Sequence, residues 1–145
     1  MMTRCTSLRR FVRPQTKRTE RKRTIAALDA LWRQLVYLRD DKVCQMPGCG
    51  ATHNIQAHHI FNKNGRFLTR WDVDNGICLC AGHHTFRDSA HEHPARFHEF
   101  MRKRLGAGRY DRILVRSEQS AKGQDLEAVR LDLQQQIAEL GGSGA

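Results

Sequence analysis

The sequence predicts an α+β fold: a small core of two short strands and a short helix, tied together by paired cysteines and histidines, flanked by helices and preceded by a basic N-terminal arm. Three observations predict it. Apolar residues recur at helical spacing before residue 41 and again after residue 93. Between those stretches the composition turns to short apolar pairs, turn residues, cysteine and histidine. Within that middle part, four soft side chains fall in two close pairs about thirty residues apart.

The chain is 145 residues long, room for one domain of ordinary size, expected over 24–140, so any site is compact. The formal charge is +10, and residues 1–23 carry +8 of it, with nine Lys/Arg against one Glu. An arm of this kind, expected to be flexible over 1–23, is either a solvated tail or a contact to phosphate-rich nucleic acid. A membrane is a poor partner. No run approaches the ~18 apolar residues of a spanning helix, and the arm lacks the apolar stretch of a secretory signal. The expectation is a cytoplasmic protein whose five cysteines, Cys5, Cys44, Cys49, Cys78 and Cys80, stay reduced. Their odd number argues against a disulfide framework and favours metal ligation where they cluster with histidine.

Order is expected from Thr24, a plausible N-cap, with Ile25, Leu28, Leu31, Trp32, Leu35 and Leu38 forming the apolar stripe of a helix over 24–40. Asn54–Ile60 reads as a strand, Phe61–Arg70 as a polar loop, Gly76–Leu79 as a second strand and Gly82–Asp88 as a short helix. Pro94 suits the first turn of the next helix, with Phe97, Phe100, Met101 and Leu105 on one face and Gly106 and Gly108 as its stop. Tyr110, Ile113 and Leu114 suggest another helical turn or two. The last helix is expected over 124–140, striped by Leu126, Val129, Leu133, Ile137 and Leu140, with 141–145 as a flexible tail. No internal repeat is visible, which excludes a solenoid.

Cys44 and Cys49 bracket a tight Pro47-Gly48 knuckle, and Cys80 and His83 bracket Ala81-Gly82. A tetrahedral zinc site takes four ligands from two such turns, because a spacing of about 2–4 residues aims both side chains of a turn at one point. The competing reading is two pairs of buried thiols. Structural zinc, with an apparent binding free energy of ~10–16 kcal/mol, would supply stability that so small a core lacks. Cys78 lies outside the paired turns and reads as a small buried residue; Cys5, in the arm, reads as unligated.

His58, His59, Asn75 and His84 remain once zinc is satisfied. Neighbours on a strand point to opposite faces, so His58 and His59 cannot serve one atom. One can bind a metal while the other acts as a base, a pairing that suits phosphodiester hydrolysis. A histidine near its usual pKa of ~6.5 is substantially neutral in the cell and able to take a proton. Asn75 can fix the base through its amide or its backbone carbonyl. For any one of these histidines alone, a satisfied polar residue is the simpler reading.

Together, His58-His59-Ile60, Asn75 and His84, set between Cys44-x-x-Pro-Gly-Cys49 and Cys80-x-x-His83-His84, resemble the His-Asn-His (HNH) nuclease motif in its zinc-bound form. The resemblance covers roughly residues 43–93 and implies a ββα-metal (His-Me finger) core. It implies His59 as general base, Asn75 as the residue holding the base's loop, and His58 and His84 as ligands of a catalytic Mg²⁺ or other divalent ion. Cys44, Cys49, Cys80 and His83 match the structural zinc set, although many relatives have two Cys-x-x-Cys pairs where this chain has a longer first knuckle and His83 as fourth ligand. Asp88 or His91 is an available further ligand. The leading helix ending Leu-Arg-Asp-Asp, the run Thr69–Gly76 and the His-x-x-Pro-x-x-Phe segment also resemble small phage and prophage HNH proteins, including NinG-like recombination proteins. For those, the compartment is the bacterial host cytoplasm.

The function expected on this reading is a metal-dependent endonuclease cutting DNA phosphodiesters in DNA processing or recombination. Arg18, Arg21, Lys22 and Arg23 of the arm and Lys63, Arg66 and Arg70 of the loop are the candidate backbone contacts, although the loop is equally readable as an exposed turn without a partner. RNA is chemically admissible as substrate. The alternative class is a zinc-stabilised DNA-binding or assembly module without catalysis, which has no chemical need for His58, His59, Asn75 and His84 around one point. Oligomeric state is left open by the sequence.

Overall fold

The computed structural model describes residues 16–62, 67–86 and 89–142. Helix α1 spans Lys17–Arg39, and the Thr16 hydroxyl caps it by accepting the Thr19 N–H. It therefore starts seven residues before the expected Thr24. Residues 17–24 are all exposed, so no apolar stripe marks them. Their Lys, Arg and Glu are good helix formers, and the packed turns beyond supply the nucleus. The second half of the basic arm is thus a solvated extension of α1; residues 1–15, with Cys5, lie outside the described residues.

Helix α1 buries Leu28, Trp32, Leu35 and Val36. Leu38, expected on the stripe, is 40% exposed. In helical register Val36 lies nearer the centre of the inward arc that Leu28, Trp32 and Leu35 define, and it takes that place. Strands β1 (Ile55–His59) and β2 (Gly76–Cys80) pair antiparallel, with Ile55 opposite Cys80 and His59 opposite Gly76. The connection between them holds two 3₁₀ turns, Phe67–Thr69 and Val73–Asn75. Helix α2, Ala81–Thr85, follows β2 without a break. This is the expected strand–strand–helix order in a mixed α+β fold.

Helix α3 spans Pro94–Leu105 and α4 spans Ala107–Ser117, separated by Gly106 at φ 81°, a left-handed conformation glycine adopts without strain. With eleven residues, α4 is longer than the expected turn or two; its Tyr110 and Ile113 are buried. Helix α5 spans Leu126–Gly142 and packs on α1 through the wholly buried Leu133. It runs through Gly141 and Gly142, expected to be tail, because glycine costs a helix only about 1 kcal/mol per residue. Among the described residues, no helix is long and apolar enough to cross a membrane.

The pleat divides the small sheet between two neighbours. On one face Tyr37 of α1 donates to the Ile55 carbonyl at 3.1 Å, and the Cys78 thiol lies 3.7 Å from the Val36 carbonyl. On the other face Gln56 and His58 meet α2 and α3. The C-terminus of α1 is bolted to β2 by charge. Arg39 donates to the carbonyls of Val73 at 2.5 Å and Gly76 at 2.7 Å, while the buried Asp40 carboxylate accepts from Arg39 and from the Cys78 N–H at 2.8 Å.

Gly76 makes the close approach of α1 possible. A Cβ there would lie 2.5 Å from Val36 Cγ2 and 2.7 Å from Trp32 Cζ2. Gly76→Ala should therefore destabilise the protein by about 1–3 kcal/mol, the usual cost of overpacking, and lower the melting temperature accordingly. An unchanged melting temperature would show that α1 does not rest on β2 as described.

Candidate active site

The Cys44–Cys49 knuckle is closed by backbone bonds, Cys44 N–H to Ala51 C=O at 2.8 Å and Cys49 N–H to Met46 C=O at 3.1 Å. Gly48 and Gly50 take the left-handed conformations it needs, at φ 75° and 63°. At the end of β2 the chain turns directly into α2, so Cys80 and His83 face the knuckle. The ligand atoms of Cys44, Cys49, Cys80 and His83 all lie within 4.8 Å of one another. His83 Nδ1 is 3.5 Å from Cys44 Sγ and 3.3 Å from Cys80 Sγ, and the Cys49 and Cys80 sulfurs are 3.9 Å apart. A zinc tetrahedron with ordinary Zn–S and Zn–N bonds has edges of about 3.6–3.8 Å, so the four expected ligands stand near their places.

These thiols differ in acidity. Burial pushes Cys44 up to about 11. Burial also raises Cys80, but hydrogen bonds from the His83 backbone and from the Cys44, His83 and Cys49 side chains outweigh it and bring the thiol down to about 7. Cys78 stands apart, fully buried and pushed up to about 12 by that burial, as expected of a packing residue.

The second cluster lies across α2. His58, His84 and His91 bring their ring nitrogens within 4.8 Å of one another. The His58 ring meets His84 and His91 edge-on, at centroid distances of 4.7 and 5.1 Å, and rests against Phe97 at 5.1 Å. His58 is 8% exposed, and its pKa is pushed down to about 3, by burial first and then by His84, His91, His59 and His98. His84 is lowered by burial and then by His91. Neutral imidazoles are the form in which histidine binds a metal ion. Gln56 holds His84 through a hydrogen bond between Oε1 and Nδ1. The trio and His59 line one open cleft of about 650 Å³, together with Phe97 and His98 of α3.

His59 is held from two directions. Its ring stacks on Trp32 at a centroid distance of 3.7 Å and an interplanar angle of 12°. Its Nε2 lies 2.8 Å from the Arg70 carbonyl. A carbonyl only accepts, so Nε2 carries the hydrogen and the lone pair of the neutral ring sits on Nδ1. Asn75 is wholly buried. Its amide donates to the carbonyls of Phe61 at 3.1 Å and Thr69 at 2.8 Å and accepts the Phe61 N–H at 2.8 Å. It ties the two ends of the connection together, while the carbonyl on His59 is that of Arg70 and not its own.

The Arg70 guanidinium, expected among the backbone contacts, is held by the Asp29 carboxylate at 2.6 and 2.8 Å, with 12% of the side chain exposed. Arg18, Arg21, Lys22 and Arg23 are exposed on the first turns of α1. Lys63, Arg66 and Asp88 lie outside the described residues. Asp29 and the framing role of Trp32 are not legible locally, since their partners lie 27 to 42 residues away along the chain. A carboxylate three residues from Trp32 in an apolar stripe is the only sequence signal for them.

Protein purified without added metal should carry about one zinc per chain, measured by elemental analysis. Cys80→Ala should lower both zinc content and melting temperature, since it opens a closed four-ligand site. A zinc-free protein with an unchanged melting temperature would contradict the assignment of the four-ligand cluster.

Neither the curated proteins nor the solved structures yielded a match to this chain. The model of the HNH endonuclease family matches residues 43–91, about a third of the sequence. Both clusters that could hold a metal ion, His59 and Asn75 fall inside the stretch that matches the HNH endonuclease model.

Proposed function

We propose that the chain is a metal-dependent endonuclease that hydrolyses DNA phosphodiester bonds, and that it acts in phage or prophage DNA processing in the bacterial cytoplasm. One observation carries the catalytic part. His59, with its lone pair on Nδ1, shares a cleft with three histidines whose nitrogens converge on one point. A binding module has no use for that arrangement. The phage setting is supported by the resemblance of the Thr69–Gly76 run and the His-x-x-Pro-x-x-Phe segment to small phage proteins.

Cys44, Cys49, Cys80 and His83 would hold the structural zinc, and His58, His84 and His91 the catalytic divalent ion. Three imidazole nitrogens suit a transition-metal divalent ion and leave room for oxygen ligands. When bound, it supplies positive charge to the scissile phosphate and the leaving oxygen. His59 Nδ1 takes the proton of the attacking water while the Arg70 carbonyl holds Nε2–H and stabilises the imidazolium that forms. Asn75 keeps the connection that carries this carbonyl closed over the sheet. Arg18, Arg21, Lys22 and Arg23 supply contacts to the DNA backbone that are independent of sequence.

His59→Ala should cut supercoiled DNA ~10²–10⁴-fold more slowly with zinc content and melting temperature nearly unchanged, because it removes a proton acceptor and no zinc ligand. His84→Ala should raise the Mg²⁺ or Mn²⁺ concentration needed for half-maximal nicking. Wild-type protein that nicks no form of DNA, or His59→Ala that matches it, would leave the non-catalytic binding module as the better account.

Changing Arg18, Arg21, Lys22 and Arg23 together to Gln should weaken DNA binding and flatten its dependence on salt, by roughly one unit of log–log slope for each phosphate no longer neutralised. Substitution is the cleaner test, because deleting residues 1–23 also removes the Thr16 cap and the first turns of α1. An unchanged slope would make this stretch a solvated helix end.

A further inference from the structure

We propose that α1, which lies outside the matched segment, completes the active site: Asp29 is a positioning residue that orients His59 through Arg70, and Trp32 is the platform for the ring. The inference rests on the reading of His59 as the base. The Asp29 carboxylate accepts three hydrogen bonds from two consecutive residues, Arg70 Nε at 2.8 Å, Arg70 Nη2 at 2.6 Å and Trp71 Nε1 at 3.0 Å. The peptide unit between Arg70 and Trp71 is therefore pinned from the side chains at both of its ends. The carbonyl of that same peptide unit is the one that accepts His59 Nε2–H. A bidentate carboxylate–guanidinium pair fixes direction as well as distance, so it sets where the carbonyl points.

Asp29 and Trp32 are three residues apart and share a face of α1. While the indole ring lies under His59, its N–H donates to the Asp72 carbonyl at 2.9 Å, one residue beyond Trp71. Together the two α1 side chains hold the imidazole in its plane, through Arg70, and perpendicular to it, through stacking. Packing alone does not call for a charged pair here. With side-chain exposures of 20% for Asp29 and 12% for Arg70, the pair gives up much of its hydration, and apolar residues would fill the space without that loss. The pair makes sense as a device for orientation. A misplacement of about 1 Å in a reacting group costs up to ~10²-fold in rate.

Four zinc-loaded full-length proteins test this by Mn²⁺-dependent nicking of supercoiled DNA: wild type, Asp29→Ala, His59→Ala and the double variant. Asp29→Ala should lower kcat by roughly ten- to a hundredfold while KM for DNA and the Mn²⁺ dependence stay as in wild type. In the His59→Ala background the same substitution should leave the residual rate nearly unchanged, because its effect passes through His59. Asp29→Asn, a milder change, guards against misfolding and is read by ¹⁵N NMR of the His59 ring. Wild type should show the Nε2–H tautomer, and Asp29→Asn a mixture of the two. Wild-type kcat in Asp29→Ala beside a slow His59→Ala would overturn the positioning role and leave the base intact. An equal loss in both backgrounds, or an unchanged tautomer in Asp29→Asn, would also overturn it. His59→Ala as fast as wild type would remove the base assignment itself, and this inference with it.

Discussion

Helix α2 has five residues, too few to hold its own shape in water, and it carries one member of each cluster that could hold a metal ion, side by side. His83 joins Cys44, Cys49 and Cys80; His84 joins His58 and His91. Whatever fixes the first set fixes the second, because one peptide bond separates them. The convergence of Cys44, Cys49, Cys80 and His83 is therefore the constraint on which the rest of the site depends. The backbone-closed knuckle and the end of β2 provide two anchors, and a metal-sized tetrahedron between them would locate α2 and with it His84.

The opposite face of the sheet is set by packing and hydrogen bonds. Gly76 sits across from His59 and leaves room for Trp32 and Val36 to press in where a side chain would stand. Arg39 and Asp40 join the end of α1 to β2, and Asp29 joins its middle to the connection before β2. Strands of five residues each bury too little to hold such a geometry alone, so the sheet borrows its rigidity from α1 on one side and from α2 and α3 on the other. The division of labour between His58 and His59 follows from the pleat. One residue's step along β1 places the first beside His84 and the second over an indole.

Much of this is legible in the sequence because it is local. The two ligand pairs announce themselves by spacing, the strands by short apolar runs between turn residues, and the helices by their stripes. Adjacency alone assigns His58 and His59 to opposite faces. The start of α1 is not legible, since residues 17–23 form helix without burying anything and leave no periodic mark. His91 is an available ligand without a decisive signal, for it is seven residues past His84 and reaches the cluster only through the turn before α3. The use of Arg70 is hidden for a related reason. A basic residue in a polar loop reads as a phosphate contact, and its ion pair with Asp29 forms only when folding brings the two together.

Two metal sites with separate duties, meeting on one short helix, are the centre of the proposed mechanism. Stepwise addition of Co²⁺ to metal-free protein, with absorption and nicking of supercoiled DNA followed together, tests that most directly. The first equivalent should bring the thiolate-to-cobalt absorption of the cysteine site without cleavage, nicking should begin with the second, and His84→Ala should lose only the second step. Nicking that begins with the first equivalent, or a His84→Ala protein that also loses the thiolate absorption, would contradict it.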